Sequence, residues 1–569
     1  MHSSSLSPAQ RSEALDRMAT QRLDVLIIGG GVTGAGCALD AAARGLSVGL
    51  VEQRDYASGT SSRSSKLIHG GLRYLEQFNF ALVFEALGER GLLLEELCPH
   101  LVRPVSFLYP LKHKYWERPY IGTGIALYDL LAGIKGNPLP RHRHLGRKGV
   151  AQRFPSVRPD VIEGGVIYWD AQVDDARHTM SIARTAARFG AWLAPSTRVV
   201  GLVKDGDRVV GAEVDDLEGG RRLTIQADQV INATGVWTDS IQDFAGTGNI
   251  RVNASKGIHL VVPRDRIQAD TGVILRTEKS VLFIIPWGDH WLIGTTDTEW
   301  ELDLAHPAAS RSDIDYLLER VNGVLKDPLT HDDIVGVFAG LRPLLSGESD
   351  DTSKLSREHA VSQALPGLIT IAGGKYTTYR VMAEDAVDAA VANLGRTVPP
   401  SPTANTPLVG ADGYQALWNA RQRIARRAGQ SVETIEHLLG RYGSMIDEVL
   451  ELIDEQGDLG RPLGTGTGHL RAEVVYACAH EGALHLDDVL TRRTRISIES
   501  AQRGLDVAEE VAELMAGVLG WDSGTVEREL AHYRARVEAE LESQRMPDDR
   551  TADAARLGAP DVRFAPQQG

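Results

Sequence analysis

Near its N-terminus the chain alternates between short apolar runs and a segment with the composition of a helix. Residues 24–28 are mostly apolar and too few for a helix, which is typical of a buried parallel strand. The alanine-rich segment 32–44 predicts a helix ended by Gly45, and residues 47–51 predict a second strand. This order predicts a β-α-β unit, the building block of a parallel sheet.

Three glycines follow the first predicted strand in the spacing G-x-G-x-x-G. Gly29 permits a tight turn, Gly31 lets a pyrophosphate approach the backbone, and Gly34 lets helix and strand pack closely. The start of the helix offers free N–H groups to phosphates. Glu52 ends the second strand, where an acid binds a ribose 2′-hydroxyl. The unit therefore predicts a site for NAD or FAD, and it disfavours NADP.

Two later segments favour FAD. An apolar strand runs into Ala233 and Gly235, a pattern that recurs beside the pyrophosphate in FAD proteins. A second apolar strand, residues 368–372, leads through Gly374 into a long helix. A helix start and a nearby lysine, Lys375, would stabilise the negative charge of a reduced flavin.

The rest of the pattern predicts two further units. Short β-rich runs between residues 257 and 297 predict an antiparallel sheet, and helical periodicity continues from a proline-rich linker at 399–402 to about residue 544. We expect an α/β (α+β) fold: an FAD-binding Rossmann-like domain, an antiparallel β substrate domain and an all-α C-terminal domain. The FAD-binding domain is predicted to be discontinuous within 23–400, with the segments 23–90, 160–245 and 340–400. The inserted substrate-binding domain is predicted at 91–159 and 246–339. The helical domain is predicted at 411–545, and residues 1–22 and 546–569 are predicted to be flexible tails.

Composition and charge narrow the functional class. The formal net charge of −15 over 569 residues argues against nucleic acid as a partner. Cys37, Cys98 and Cys478 lack metal-ligand spacing, so we predict neither a disulfide framework nor a metal site, as fits a reducing compartment. Residues 1–22 are polar, which predicts no signal peptide. The sequence has no apolar run long enough to predict a spanning helix.

One glycine-rich loop, SSKLIHGGLRYL, carries three basic residues, Lys66, His69 and Arg73. Together with NATGVW, SKGIHLVVP, FAGLRPLL and IAGGKYTTYR, this loop resembles the FAD-dependent glycerol-3-phosphate dehydrogenases, from about residue 24 to 390 and again through the helical part. The resemblance implies oxidation of sn-glycerol 3-phosphate to dihydroxyacetone phosphate by hydride transfer from carbon 2 to flavin N5. In glycerol catabolism the electrons would then pass to a membrane quinone.

The resemblance also implies which side chains hold the substrate. Arg342 and Arg357 would bind the phosphate, and Arg73 with Tyr74 would contact the glycerol part. A guanidinium group presents a planar fork that matches phosphate oxygens. The alternative for each arginine is an ordinary surface ion pair.

Oxidation of an alcohol also needs a group that takes the hydroxyl proton. His259 is our first candidate, because the pKa of histidine lies near working pH; the alternative is a core histidine bonded to backbone. Lys375 and Arg73 complete the predicted catalytic set, and Lys375 and His259 also belong to the substrate-binding set. Asp297 could serve as an acid or cap a turn. Asp174 most simply caps a helix.

The resemblance further implies that residues 59–71 lie along the flavin. Lys66 and His69 have an alternative interpretation, in which they support the loop or the core. The predicted cofactor-binding residues are Gly29, Gly31, Thr33, Gly34, Glu52, Thr60, Ser61, Ser65, Lys66, Leu67, His69, Val199, Ala233, Gly235, Gly374, Lys375 and Thr377.

Basic and aromatic residues interleave over 111–120, and further basic residues follow from Arg141. Such a composition suits an anionic membrane surface, or a solvated positive face beside a core helix. The resemblance implies a cytoplasmic enzyme attached peripherally to the inner face of the cell membrane. Its partners would be substrate, product, quinone and membrane, with a homodimer as a further expectation.

Three other interpretations stay open. The same substrate residues would serve a glycerol-3-phosphate oxidase that passes its electrons to O₂. An amine or amino-acid oxidase of similar fold would need a carboxylate clamp, and the number of arginines argues against it. A non-catalytic FAD-binding protein is disfavoured because Arg73, His259, Arg342 and Lys375 occur together.

Overall fold

Two β-sheets and a helical C-terminal part make up the structure. The computed structural model describes residues 2–76, 78–113, 116–136, 138–277, 281–346 and 359–564, and for Arg73 and Glu76 it describes the backbone only. The strands are β1 Leu23–Ile28, β2 Val48–Val51, β3 Leu67–Ile68, β4 Arg103–Leu111, β5 Arg143–Gly146, β6 Gly164–Gln172, β7 Trp192–Ala194, β8 Thr197–Asp205, β9 Arg208–Asp216, β10 Arg221–Asn232, β11 Val252–Pro263, β12 Gly272–Arg276, β13 Val281–Trp287, β14 His290–Gly294, β15 Thr298–Trp300, β16 Gly336–Leu345, β17 His359–Leu365 and β18 Leu368–Gly373.

The helices frame these sheets and then form the C-terminal part. They are α1 Pro8–Thr20, α2 Val32–Ala43, α3 Arg73–Glu76, α4 Phe80–Leu92, α5 Glu117–Ile134, α6 Arg147–Arg153, α7 Asp175–Arg188, α8 Thr238–Ala245, α9 Arg311–Asn322, α10 Tyr379–Val391, α11 Tyr414–Asn419, α12 Arg421–Ala428, α13 Val432–Tyr442, α14 Ile446–Glu455, α15 Arg471–His480, α16 Ile496–Glu499, α17 Ala508–Leu519, α18 Ser523–Ser543 and α19 Asp549–Leu557.

The first sheet has the strand order β17-β18-β10-β1-β2-β7. Strands β18, β10, β1, β2 and β7 are parallel, and β17 is antiparallel to β18. Helices α2, α7 and α10 bury apolar residues against one face, and α1 and α8 cover the other. Because the carboxyl ends of parallel strands meet at one edge, the turns after β1, β2, β10 and β18 lie close together.

The second sheet has the order β15-β11-β14-β13-β12-β4-β6-β3, with β16 paired to β11 and β5 to β6. It is antiparallel, as predicted, except for the pair β4 and β12. It also contains β3, β6 and most of β16, which lie in segments that we predicted for the FAD-binding domain. The predicted domain boundaries are wrong at these strands, because backbone pairing with β4 and β11 draws them into the second sheet.

The C-terminal part is helical, and its core lies among α12 to α18. Buried ion pairs connect it to the cofactor part: Arg493 Nη2 lies 2.7 Å from Asp55 Oδ1, and Arg177 Nη1 lies 2.6 Å from Glu481 Oε2. The predicted fold class is confirmed. In the residues that the structure describes, no helix is both long and apolar enough to cross a bilayer.

Both segments predicted as flexible tails contain packed helices, so that prediction is wrong. Helix α1 buries Leu15 and Met18 completely, and Arg11 Nη2 lies 2.7 Å from Asp216 Oδ1. At the other end α19 is followed by Arg563, whose guanidinium lies 2.8 Å from the buried carboxylate of Asp488. A few buried side chains and ion pairs order segments whose overall composition is polar.

Candidate active site

The turn after β1 has the geometry that a dinucleotide requires. Gly29 has φ +110°, a left-handed conformation that favours glycine, and a Cβ at Gly34 would lie 1.9 Å from the Gly29 carbonyl oxygen. The N–H of Val32 donates to Ser61 Oγ at 2.9 Å. The start of α2 and the Ser61 hydroxyl therefore face one another, where phosphate oxygens could bind.

A cleft of about 520 Å³ extends from this turn along the carboxyl edge of the first sheet. The Glu52 carboxylate lies on it and accepts hydrogen bonds from the N–H groups of Gly30 at 2.7 Å and Arg54 at 2.8 Å. Burial raises the pKa of Glu52, and these donors oppose the rise. The predicted cofactor residues that line the cleft are Gly29, Gly31, Thr33, Glu52, Thr60, Ser61, Val199, Ala233, Gly235, Gly374 and Lys375.

The other predicted cofactor residues lie behind the cleft surface, which differs from our prediction. Gly34 packs under the turn, and Leu67 is buried in β3. Lys66 Nζ lies 2.8 Å from Asp175 Oδ1 with both side chains fully buried, so the alternative interpretation of Lys66 as a loop support fits better. Pairing of β3 with β6 turns these side chains toward the core.

His69 and Thr377 connect two of the predicted cofactor segments. The His69 N–H donates to Thr377 Oγ1 at 3.1 Å, and Thr377 Oγ1 donates to the His69 carbonyl oxygen at 3.2 Å. This contact fixes the loop of residues 64–74, which we call the HGG loop, against the turn that follows β18. Both residues thus position backbone beside the cleft and do not line it.

Lys375 and Tyr74 meet where the HGG loop ends. Lys375 Nζ lies 3.6 Å from the centroid of the Tyr74 ring, a cation–π contact. Gly71 has φ +76°, and a Cβ there would lie 2.4 Å from the Tyr74 ring and 3.2 Å from Lys375 Nζ. A glycine is therefore required for the ammonium group and the tyrosine to approach the loop.

His259 lies at the other end of the HGG loop. Its Nε2 is 2.8 Å from Ser65 Oγ, and its ring stacks on Phe338 with centroids 4.8 Å apart. Burial, then the charges of Arg342 and Lys66, hold the pKa of His259 well below its usual value. The imidazole is therefore neutral, and the same surroundings disfavour its protonation.

Arg342 extends from β16 over the same face of the second sheet. The register pairs His259 with Phe338, Gly257 with Gly340, and Ser255 with Arg342, so these residues share a face. Arg342 Nη2 donates to Thr295 Oγ1 at 3.0 Å and would clash with a Cβ at Gly257.

Asp297 contacts Arg342, an interaction that neither sequence interpretation of Asp297 included. Its carboxylate lies 3.5 Å from Arg342 Nη1 and accepts a hydrogen bond from Ser255 Oγ. Arg342 does not itself line the cleft, although its neighbour Pro343 does. Asp174 caps α7 by accepting from the N–H groups of Ala176 and Arg177, which confirms that prediction.

The comparisons with known proteins identify the family. A family model described as FAD dependent oxidoreductase matches residues 24–380, and one described as the C-terminal domain of alpha-glycerophosphate oxidase matches residues 401–526. The chain is 57% identical over 559 residues to glycerol-3-phosphate dehydrogenase 2 of Mycobacterium tuberculosis, covering 98% of this chain and 95% of that protein. The chain belongs to the FAD-dependent glycerol-3-phosphate dehydrogenases.

More distant members of this dehydrogenase family match over most of their length. The mitochondrial glycerol-3-phosphate dehydrogenase of Homo sapiens is 37% identical over 550 residues, covering 93% of this chain and 75% of that protein. The crystal structure of glycerol-3-phosphate dehydrogenase from Bacillus halodurans, complexed with FAD, has a TM-score of 0.77 at 31% identity and covers 94% and 98% of the two chains. FAD is the cofactor of this dehydrogenase.

Two predicted substrate residues cannot be placed. Arg357 lies outside the described residues, and only the backbone of Arg73 is described, at the start of α3. Sequence reasoning missed Thr295 and Phe338, which contact Arg342 and His259. Phe338 is brought to His259 by the register of β11 and β16, and Thr295 by the pairing of β11 with β14; no short sequence motif encodes either register.

A cluster in the helical domain has a composition suited to a metal, although we predicted no metal site. Ligand atoms of His437, His469 and Glu473 lie within 4.8 Å of one another. The Glu473 carboxylate also accepts hydrogen bonds from Tyr442 Oη at 3.0 Å and the Leu470 N–H at 2.9 Å. These donors satisfy the carboxylate within the protein.

Proposed function

We propose that this dehydrogenase oxidises sn-glycerol 3-phosphate to dihydroxyacetone phosphate in glycerol catabolism and passes the electrons to a membrane quinone. The observation that carries the proposal is the HGG loop. Ser65 at one end contacts His259, and Gly71 at the other end packs against Tyr74 and Lys375. Lys375 lines the cofactor cleft. The names of the relatives support the same substrate.

The cleft fits FAD in its donors as well as its length. The N-terminus of α2, Thr60 and Ser61 would hold the pyrophosphate, and Glu52 a ribose hydroxyl. The turn after β18 would face the flavin ring with Lys375. Bound FAD supplies the two-electron acceptor for the hydrogen on carbon 2 of the substrate.

His259 takes the proton of the substrate hydroxyl as the C2–H bond breaks and the C2–O bond becomes a carbonyl. Two features suit it to this task. Its lowered pKa keeps the free imidazole neutral, and the Ser65 hydroxyl and the Phe338 ring fix its orientation. A positioned base of this kind typically contributes about 10²–10⁴-fold to the rate.

Arg342 binds the phosphate group. Its guanidinium is held by Thr295 and by the carboxylate of Asp297, so it is oriented before a substrate arrives. Gly257 leaves room for the Arg342 guanidinium and for Thr295, because a Cβ there would lie 2.5 Å from Arg342 Nη2 and 2.4 Å from Thr295 Oγ1. A triose-sized phosphate bound at Arg342 would present its hydroxyl toward His259, which lies on the same face of the sheet, while Lys375 stabilises alkoxide-like charge. Arg357 and Arg73 would complete this set.

Membrane attachment is supported by an exposed apolar face near the predicted segment. Trp116, Tyr120, Leu130 and Ile134 are 59%, 52%, 62% and 64% exposed. Trp116 and Ile134 are 18 positions apart along α5, about five helical turns, so both lie on one stripe. Arg141, Arg143 and Lys148 are exposed beyond the helix. This combination suits the interface of an anionic bilayer, on the cytoplasmic side, where a quinone is available.

Anaerobic titration of the FAD-loaded protein with glycerol 3-phosphate tests the reaction. We expect stoichiometric bleaching of the oxidised flavin band, and poor reduction by glycerol, because glycerol leaves Arg342 unpaired. A flavin that stays oxidised would refute the proposal. Reoxidation by a quinone analogue faster than by O₂ is expected; the reverse order would indicate an oxidase.

A further inference from the structure

A second cavity, of about 90 Å³, lies between the cofactor part and the C-terminal helices. Its lining does not include Arg342 or His259, although Phe338, which stacks on His259, is part of it, and arginines predominate among its charged residues. We call it the arginine cavity. Its basic lining includes Arg54, Arg63, Arg503, Arg536 and Arg556, from the loops before and after Ser58 and from the C-terminal part.

Acidic side chains compensate only some of these charges. Arg54 Nε lies 3.2 Å from Asp561, and Glu540 lies 3.2 Å from Arg503 and 3.7 Å from Arg556. Arg63 donates to the Ala305 carbonyl oxygen, and Arg536 contacts the ring nitrogens of His306 at 2.8 and 2.9 Å. Among the described residues, no carboxylate lies within 4.0 Å of either guanidinium, as salt-bridge pairing would require.

The lowered pKa values of Arg63 and His306 reflect burial and the positive charge around them. Burial and then the guanidinium groups of Arg556, Arg492 and Arg536 lower the pKa of Arg63 to about 9. Burial and the surrounding arginines also hold the pKa of His306 well below its usual value, so His306 is neutral. Buried cations without a counter-charge are strongly unfavourable. The lining therefore carries an excess of positive charge, which an anionic ligand could balance.

A buried hydroxyl group also points to a ligand. Ser497 Oγ has no exposed surface and no hydrogen-bond partner among the residues that the structure describes, and Ser497 lines the same cavity. A compact tetrahedral anion fits this space.

We propose that the arginine cavity binds one tetrahedral oxyanion, inorganic phosphate or sulfate. Arg63, Arg536 and Arg556 would supply forked N–H donors, and Ser497 a hydroxyl group. The anion would connect α18 and α19 to the residues that follow Thr60, next to the cofactor cleft. Arg54 and Ser58 line both the arginine cavity and the cleft, so the two are neighbours.

Thermal unfolding of the FAD-loaded Arg342→Gln protein tests this site, because that variant removes the proposed substrate phosphate site. In a buffer without oxyanions, added phosphate or sulfate should raise Tm by about 2–5 °C over sodium chloride of equal ionic strength. A second substitution in this variant, Arg63→Gln or Arg556→Gln, should abolish the rise in Tm. Arg63→Gln should also keep or raise Tm without phosphate, because it removes an unpaired buried charge. Arg222→Gln, at an exposed ion pair, is the matched control.

Three outcomes of the unfolding experiment would overturn the proposal. A phosphate-dependent rise that survives both cavity variants would locate the anion elsewhere, and an equal rise in sodium chloride would indicate general screening. Loss of FAD absorbance together with the phosphate response would make the cavity an extension of the cofactor site. If the variants do not fold, wild-type crystals soaked in selenate decide the matter: an anomalous peak beside Arg63 and Arg536 is expected, and its absence refutes the site. None of these measurements monitors flavin reduction. A negative result at the arginine cavity would therefore not contradict the proposed dehydrogenase reaction.

Discussion

Ser65 Oγ lies 2.8 Å from Nε2 of His259, although the two residues are 194 positions apart in the chain. The HGG loop was predicted to follow the flavin, and this contact shows that it also orients the candidate base. In the proposed mechanism this short segment would couple cofactor placement to proton transfer. The contact is specific to Ser65, because the neighbouring Ser64 donates instead to Asp175 at 2.7 Å.

Replacing His259 with glutamine should lower kcat by about 10²–10⁴-fold, since the hydroxyl proton loses its acceptor. Ser65→Ala should lower kcat by about tenfold, because the ring loses one constraint. Both variants should retain FAD, measured by the flavin absorbance of the purified protein, and stopped-flow reduction gives the rate. His331→Gln, an exposed histidine paired with Asp315, is the control. A Ser65→Ala variant that loses FAD but reduces it normally would mean that Ser65 serves the cofactor.

Arg342→Ala should reduce kcat/KM for glycerol 3-phosphate by about 10²–10³-fold, because a charge-assisted contact to the phosphate is lost. The loss with glycerol should be far smaller. Arg342→Lys keeps the positive charge but loses the planar fork of the guanidinium, so its kcat/KM should lie between those of wild type and Arg342→Ala. Steady-state kinetics with both substrates measures the ratio, and equal losses for the two would contradict the phosphate assignment.

Lys66→Met should destabilise the protein by about 3 kcal/mol, since it breaks a fully buried ion pair with Asp175. Asp175 retains a contact to Arg495, which moderates the loss. Calorimetry of the FAD-loaded protein measures the change, with the exposed Lys148→Met as control. The folded variant should bind FAD normally. A stable variant with weakened FAD binding would restore the cofactor role predicted for Lys66.

His485 predicts a pH-dependent contribution to stability. Its ring lies 2.9 Å from Glu218 and 2.8 Å from Glu529. Burial opposes protonation, but the two carboxylates outweigh it and raise the pKa of His485 to about 10. Because the pKa of His485 is higher in the folded state than the unfolded value of about 6.5, its protonation stabilises the fold. This contribution is fully present below about pH 6.5 and is lost as the pH rises through about 10.

His485→Gln should therefore lower Tm at about pH 6 to 8, and the difference from wild type should shrink as the pH approaches 10. Differential scanning fluorimetry across this range measures it. A difference that stays constant with pH would show that packing, and not charge, is what the histidine contributes.

Leu130→Asp with Ile134→Asp should weaken binding to all vesicles, because aspartate cannot enter the apolar part of the interface. Neutralising Arg141, Arg143 and Lys148 should weaken binding to anionic vesicles by roughly 100-fold at low salt, at about 1 kcal/mol per charge. Co-sedimentation measures both. Leu557→Asp, at an exposed leucine of α19, is the control. Unchanged binding of the charge variant at low salt would reject the proposed face.

Much of this protein follows from the sequence because the signals are local. The G-x-G-x-x-G turn, the strand before Gly235 and the turn at Gly374 each depend on backbone conformations that neighbouring residues dictate. Helical periodicity likewise predicted the C-terminal part. The sequence also selected His259 and Lys375 as chemically suitable residues.

Tertiary structure decided which partners those residues meet, because contacts between distant segments are not encoded in short spacings. It paired Lys66 with Asp175 inside the core, joined Ser65 to His259, and packed both predicted tails. It also gathered Arg63, Arg536 and Arg556 around one cavity from segments hundreds of positions apart. Burial, which raises the free energy of every uncompensated charge, depends on the folded arrangement and not on composition.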